Sequence, residues 1–198
     1  MRWFLPTFAA FACLTAVAVA RPYGQVAHNP ADRLASKPID GYAYDRAKHC
    51  YKRPTKGANA MVAWLTRNAR GQFWGIMRCE RLSHDSMSLH SEGRAIDWHL
   101  DVSSAADRRA ARRLILTLLA TDRAGNPHAL ARRMGVQEII WNCRSWWSGA
   151  DRMGPYSLCY TRSGKPRKKV DKTLAHRDHV HIGLSRQGAR MRTSFWRR

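Results

Sequence analysis

Acidic side chains are scarce in this chain: 14 Asp and Glu stand against 35 Lys and Arg among 198 residues. A formal charge of +21 excludes binders of cations and basic proteins that work by bulk charge, and favours polyanionic partners or surfaces. Long apolar runs are missing beyond the first twenty residues, so no later segment reads as a membrane span. No internal repeat is visible, which excludes solenoids and propellers. No Cys-x-x-Cys occurs among the five cysteines, which argues against an all-cysteine zinc site or a thioredoxin-like redox pair.

What is present begins with MRWFLPTFAAFACLTAVAVA, residues 1–20. One charge (Arg2), an apolar run and a small-x-small end at Ala18-Val19-Ala20 read as a secretory signal peptide. Without it the chain keeps 34 basic and 14 acidic side chains, or +20. Four cysteines then remain: Cys50, Cys79, Cys143 and Cys159. An even count in an exported chain predicts two disulfides. Three connectivities exist; Cys50–Cys79 with Cys143–Cys159 closes the shortest loops and is the pairing expected.

Residues 21–43 mix Pro, Gly and polar side chains and read as a linker or extended arm. From 44 to 198 the pattern is that of one α+β domain, a small antiparallel sheet with two or three packed helices. Helices are expected at KGANAMVAWLTRNARG, with Gly71 closing it, and at SSAADRRAARRLILTLLATD, capped by Ser103 or Ser104. A third is expected at NPHALARRMG, with Asn126 as cap, Pro127 first and Gly135 last. Strands are expected at QFWGIMRCE, GRAIDWHL, VQEIIW and HVHIGL. Trp146 and Trp147 fall in a loop and are candidates to wall a groove. GKPRKK reads as a solvated basic loop that helps adhesion to an anionic wall.

The chemistry concentrates in two stretches. In GRAIDWHL, alternation puts Ala95, Asp97 and His99 on one face and Ile96, Trp98 and Leu100 on the other. Gly93 permits a tight turn that folds His90 back beside Asp97. In HVHIGL the same parity groups His179 with His181 and sends Val180, Ile182 and Leu184 to the core. Two apolar-backed strands thus present His90, Asp97 and His181 to a common point. Two imidazoles and a carboxylate suit one Zn²⁺ per chain, with a fourth position left for water. Zinc lowers the pKa of such a water to about 7 and polarises a carbonyl.

SLHSEGRAID resembles the SxHxxGxAxD signature of the zinc D-Ala-D-Ala metallopeptidases (M15 type), a family that also includes the hedgehog signalling domain. The match comprises Ser88, His90, Gly93, Ala95 and Asp97, and DHVH fits the segment that supplies the third ligand. Residues from about 44 to 196 resemble a secreted actinobacterial branch carrying CER, SLHxEGRAxDW, GVQEIIW and AHRDHxHxGLS. The resemblance implies a hedgehog/D-Ala-D-Ala-peptidase-like fold and zinc ligands His90, Asp97 and His181. Where many members have a Glu base, this chain has Asp178, shorter by one methylene; strand parity offers His179 instead, and both are candidates, with Asp178 first. The family's substrate-binding arginine corresponds to Arg78 or Arg81. Ser88 is read as a local hydrogen-bonder and Arg94 as a structural arginine.

The function implied is that of a secreted, wall-associated zinc peptidase hydrolysing peptidoglycan stem peptides or cross-links, of D,D-carboxypeptidase or endopeptidase type. The alternative is a non-catalytic, zinc-containing, basic cell-wall-binding domain. Expected partners are peptidoglycan peptides and anionic cell-wall polymers, with no specific nucleic acid, no transmembrane segment after leader cleavage and a monomeric state.

Overall fold

Strand parity organises the molecule around one sheet with an apolar side and a polar side. The computed structural model describes residues 29–84 and 86–197. The leader expected over 1–20 and the first part of the arm lie outside these residues. The strands are β1 (Gln72–Gly75), β2 (Arg81–Ser83), β3 (Ser86–Met87), β4 (Ala95–His99), β5 (Val136–Trp141), β6 (Arg144–Trp147), β7 (Gly154–Pro155) and β8 (His179–Leu184). The helices are α1 (Lys56–Asn68), α2 (Ala105–Leu119), α3 (Ala129–Met134) and α4 (Arg186–Ala189). Six strands form an antiparallel sheet in the order β1-β4-β8-β5-β6-β7, and β2 and β3 form a separate hairpin. The architecture is α+β, as expected.

Ile96, Trp98, Ile139, Val180, Ile182 and Leu184 point from the sheet into the main core. There they meet Met61 and Leu65 of α1, Leu114 and Leu118 of α2, and Leu130 and Met134 of α3. Each fully buried aliphatic side chain of this kind contributes about 1.5–3 kcal/mol. Thr55 caps α1 and Ser104 caps α2, each hydroxyl accepting from a backbone N–H of the first turn. The arm joins this side of the molecule from Asn29 onward: Ala31 is buried in the core, and the Asn29 side chain donates to the Thr121 carbonyl.

Several local expectations need correction. The strand predicted over 72–80 stops at Gly75, and the chain beyond it is irregular up to β2. Here Cys79 is tied to Cys50, and the β1–β4 register shifts between Phe73 and Gly75. α1 ends at Asn68 with Ala69 as cap, short of Gly71. α3 starts at Ala129 behind His128, not at Pro127. Asn126 does not cap it: both its backbone N–H and its side-chain amide donate to the Asp122 carboxylate, which holds the preceding turn. Trp146 lies on β6, fully buried in the core, with its indole N–H on the Ala150 carbonyl. Of Trp146 and Trp147, Trp147 is the exposed one. The pairs Cys50–Cys79 and Cys143–Cys159 are both present.

Candidate metal centre

The polar side of the sheet carries the site. In the β4–β8 ladder Asp97 stands opposite His181, and His99 opposite His179. His90 arrives from the short 3-10 turn Leu89–Glu92. Ser88 caps that turn, its Oγ accepting from the His90 N–H. Gly93 ends it in the left-handed region, at φ 63°. A Cβ there would also meet the Arg53 carbonyl at 2.7 Å, so only glycine fits. Gly183 of β8 performs a second service: a side chain there would strike Leu89, so its absence lets the turn lie against the strand.

The turn is anchored from below by charge. Glu92 and Arg94 are both buried and form an ion pair at 2.8 Å. The second Glu92 oxygen accepts from the Lys48 and His49 N–H groups, and Arg94 also donates to the Asp45 and Leu184 carbonyls. The motif's Glu and Arg are therefore fasteners, as expected for Arg94.

Three donor atoms converge above them. His90 Nε2 lies 3.0 Å from Asp97 Oδ1 and 3.1 Å from His181 Nδ1, and His181 Nδ1 lies 3.2 Å from the same carboxylate oxygen. All three side chains are buried. The tautomers follow from the outer partners. His90 Nδ1 is 2.7 Å from the Ile76 carbonyl, which only accepts, so Nδ1 carries the proton and Nε2 offers a lone pair. His181 Nε2 faces Glu138 Oε2 at 3.7 Å, and that negative charge favours the proton on Nε2, with Nδ1 facing inward. Two imidazole lone pairs and a carboxylate oxygen then point at one another. Such a set requires a positive charge between its members. A tetrahedral ion with bonds of about 2.0–2.1 Å sets its ligands about 3.3 Å apart, close to the spacings found. The donor set fits a divalent cation, and the residues that would hold it are His90, Asp97 and His181.

Electrostatics give the same account. Burial alone would raise the Asp97 pKa, but the adjoining His181 and His90 imidazoles outweigh it and hold the carboxyl far below its usual range. Burial opposes a charged His181, yet its hydrogen bonds to Asp97 and Glu138 and their charges hold it up at about 9. With no cation bound, a proton on His181 supplies the missing positive charge.

Beside the triad stands a second chain of groups. His179 Nε2 is 3.4 Å from Asp97 Oδ1, buried, and without a hydrogen-bond partner. Its Nδ1 is 2.7 Å from Asp178 Oδ1, and the other Asp178 oxygen accepts from Thr173 Oγ1 at 2.6 Å. Burial keeps the His179 pKa below its ordinary value despite Asp97 and Asp178. The neutral ring thus donates through Nδ1 and aims a free lone pair toward the triad. His179 stands between Asp178 and the cluster, so Asp178 reaches it only through the imidazole. His176 packs against the His179 ring at 4.6 Å, and burial with its two histidine neighbours pushes its pKa down to about 2. Trp74 covers His179 from β1 at 5.4 Å between ring centres.

The cluster opens into a cleft of about 360 Å³, whose walls include Tyr44, Leu82, Tyr156, Leu158 and Leu174. Arg78 lines it, with Nη1 3.6 Å from Asp97 Oδ2 and Nε donating to Glu80. Arg81 is not brought to the cluster: it donates to the His84 carbonyl and lines a separate hollow with Lys48, His84, Ser86 and Met87. Trp146 and Trp147 do not wall the cleft. Sequence reasoning passed over Glu138 and Thr173. A carboxylate inside the VQEIIW strand was the available signal for the first; nothing local marks the second.

A family model described as the VldE C-terminal domain matches residues 50–170, more than half of the chain. The chain belongs to that family. The matched span includes Arg78, His90, Asp97 and Glu138 and stops short of Asp178 and β8. No curated protein and no solved structure gives a significant match.

Proposed function

We propose that this protein is a secreted zinc-dependent peptidase acting on peptidoglycan stem peptides or cross-links, of the D,D-carboxypeptidase or endopeptidase type. One observation carries the hydrolytic part: three convergent donors at one end of a cleft lie beside a buried imidazole whose inward nitrogen has no partner. The substrate class and the kinship with the D-Ala-D-Ala metallopeptidases rest on the SxHxxGxAxD and DHVH resemblance. Two disulfides and the lack, among the described residues, of a helix long and apolar enough to cross a membrane fit an exported chain.

A zinc ion held by His90, Asp97 and His181 would supply Lewis acidity toward a peptide carbonyl and an attacking water. The remaining work falls to the chain. His179 Nε2 is placed to take a proton from the water and return it to the leaving amine. Asp178, fixed by Thr173, holds the imidazole in the tautomer this needs and steadies the charged ring. Arg78, half exposed beside Asp97, is placed to bind a substrate carboxylate or the developing oxyanion. Tyr44 and Tyr156, pushed up to about 12 by burial and by Glu138, remain protonated donors along the wall.

The test is hydrolysis of defined peptidoglycan fragments by zinc-loaded protein. His179→Ala is expected to retain the metal and to lose about 10²–10⁴ in turnover, the usual worth of a positioned acid–base group. Asp178→Asn should lose less. A zinc-loaded wild type that hydrolyses no fragment would overturn the peptidase reading and leave a metal-containing wall-binding domain in its place.

A further inference from the structure

The chain's most basic stretch adjoins the cleft. Residues 161–169 contain Arg162, Lys165, Arg167, Lys168 and Lys169 and no acidic residue. All five are exposed, and among the described residues none takes part in an ion pair. The segment is held in shape. The Thr161 N–H bonds the Lys165 carbonyl, the Gly164 N–H bonds the Thr161 carbonyl, and Tyr160 bridges Pro166, which closes a small hairpin. The Arg167 N–H bonds the Cys159 carbonyl, and Cys159 is joined to Cys143 beside β6. Both roots of the hairpin belong to the cleft wall: Tyr156 and Leu158 before it, Asp171, Thr173 and Leu174 after it. Five unneutralised cations thus sit on a loop whose two roots line the cleft of the candidate site.

The composition narrows the partner. Residues 161–169 carry no aromatic side chain on which a base would stack, as single-stranded nucleic acid readers have, and Tyr160 at the base of the hairpin packs on the Cys143–Cys159 cluster. Pro166 is the only apolar side chain of residues 161–169, too little to insert into a bilayer interface. What remains is a hydrophilic, flexible polymer with closely spaced anionic groups, for which Arg forks and Lys point charges are both suited. We propose that this hairpin docks a linear phosphodiester polymer of the cell wall and so holds the cleft against the wall. Choosing a wall polymer rests on the secreted, wall-directed reading above; the docking itself needs no turnover.

The experiment measures binding of poly(glycerol phosphate) to the full, zinc-loaded protein over a range of salt. It compares wild type, Lys165→Gln/Lys168→Gln/Lys169→Gln, and an equal charge removal on α2, Arg109→Gln/Arg112→Gln/Arg113→Gln. The hairpin variant is expected to bind at least about tenfold more weakly, with a slope of log K against log salt shallower by about 2. The α2 variant should change less than about twofold, which controls for bulk charge. Equal losses in both variants, or tighter binding of single-stranded DNA of matched charge, would overturn the proposal. Loop-dependent binding in a protein that hydrolyses no peptide would support docking and count against the peptidase reading alone.

Discussion

Two buried clusters of charged groups share the stretch from His90 to Asp97, and they are built on opposite principles. In the Glu92–Arg94 cluster both carboxylate oxygens of the glutamate and both ends of the guanidinium fork have partners, and Arg186 adds a further contact to Glu92 at 3.3 Å. In the His90–Asp97–His181 cluster the outer nitrogens face the Ile76 carbonyl and the Glu138 carboxylate, and the inner atoms face one another, with a proton on His181 when no cation is bound. The first cluster is complete without a ligand. The second is completed only by a cation or a proton. Burial alone therefore does not separate a fastener from a site; the direction of the lone pairs does.

The comparison predicts different failures. Glu92→Ala leaves Arg94 buried without its counter-ion and should cost about 3–5 kcal/mol of stability. Chemical denaturation of the zinc-loaded protein checks this, and a loss below about 1 kcal/mol would make Glu92 no fastener. Glu138→Gln keeps the shape but weakens the outer partner of His181. Metal affinity should fall about 10–100-fold with the fold intact, as competition with a chelator would read. Unchanged affinity would show that Glu138 does not orient the ring.

Taken per unit, the smallest effect is that of pH. With His181 held at about 9, the metal-free protein is protonated there at neutral pH, and a cation must displace that proton. Apparent metal affinity should rise by up to tenfold per unit toward pH 9 and level off above it. The stability of the metal-free protein moves oppositely. A raised pKa stabilises fully below the unfolded value near 6.5, and that contribution is lost as pH rises through about 9. Parallel slopes for the two quantities would contradict the assignment of the proton to His181.

Much of this was legible in the chain because strand alternation is a strict code. Parity in GRAIDWHL and HVHIGL places Asp97, His179 and His181 on one face and Ile96, Trp98, Val180 and Ile182 in the core, as found. Gly93 marked the turn that returns His90. The sequential disulfides followed from loop length. What was not legible depended on partners distant in sequence. Trp146 reads as a loop residue until β6 is seen pairing with β5. Asn126 and Pro127 look like a helix start, but Asp122 takes the donors first. The order of Asp178 and His179 could not be read from either residue alone. It is fixed by Thr173 behind Asp178 and by Asp97 ahead of His179. Arg78 and Arg81 are equivalent in MRCER until the bond of Arg81 to His84 separates them.

The most direct test is the metal content, by mass spectrometry, of protein purified without added metal, beside folded His90→Ala/Asp97→Ala. The triad account predicts about one zinc per chain in the wild type and none in the variant. No metal in the wild type even after zinc is offered, or equal metal in both proteins, would contradict it.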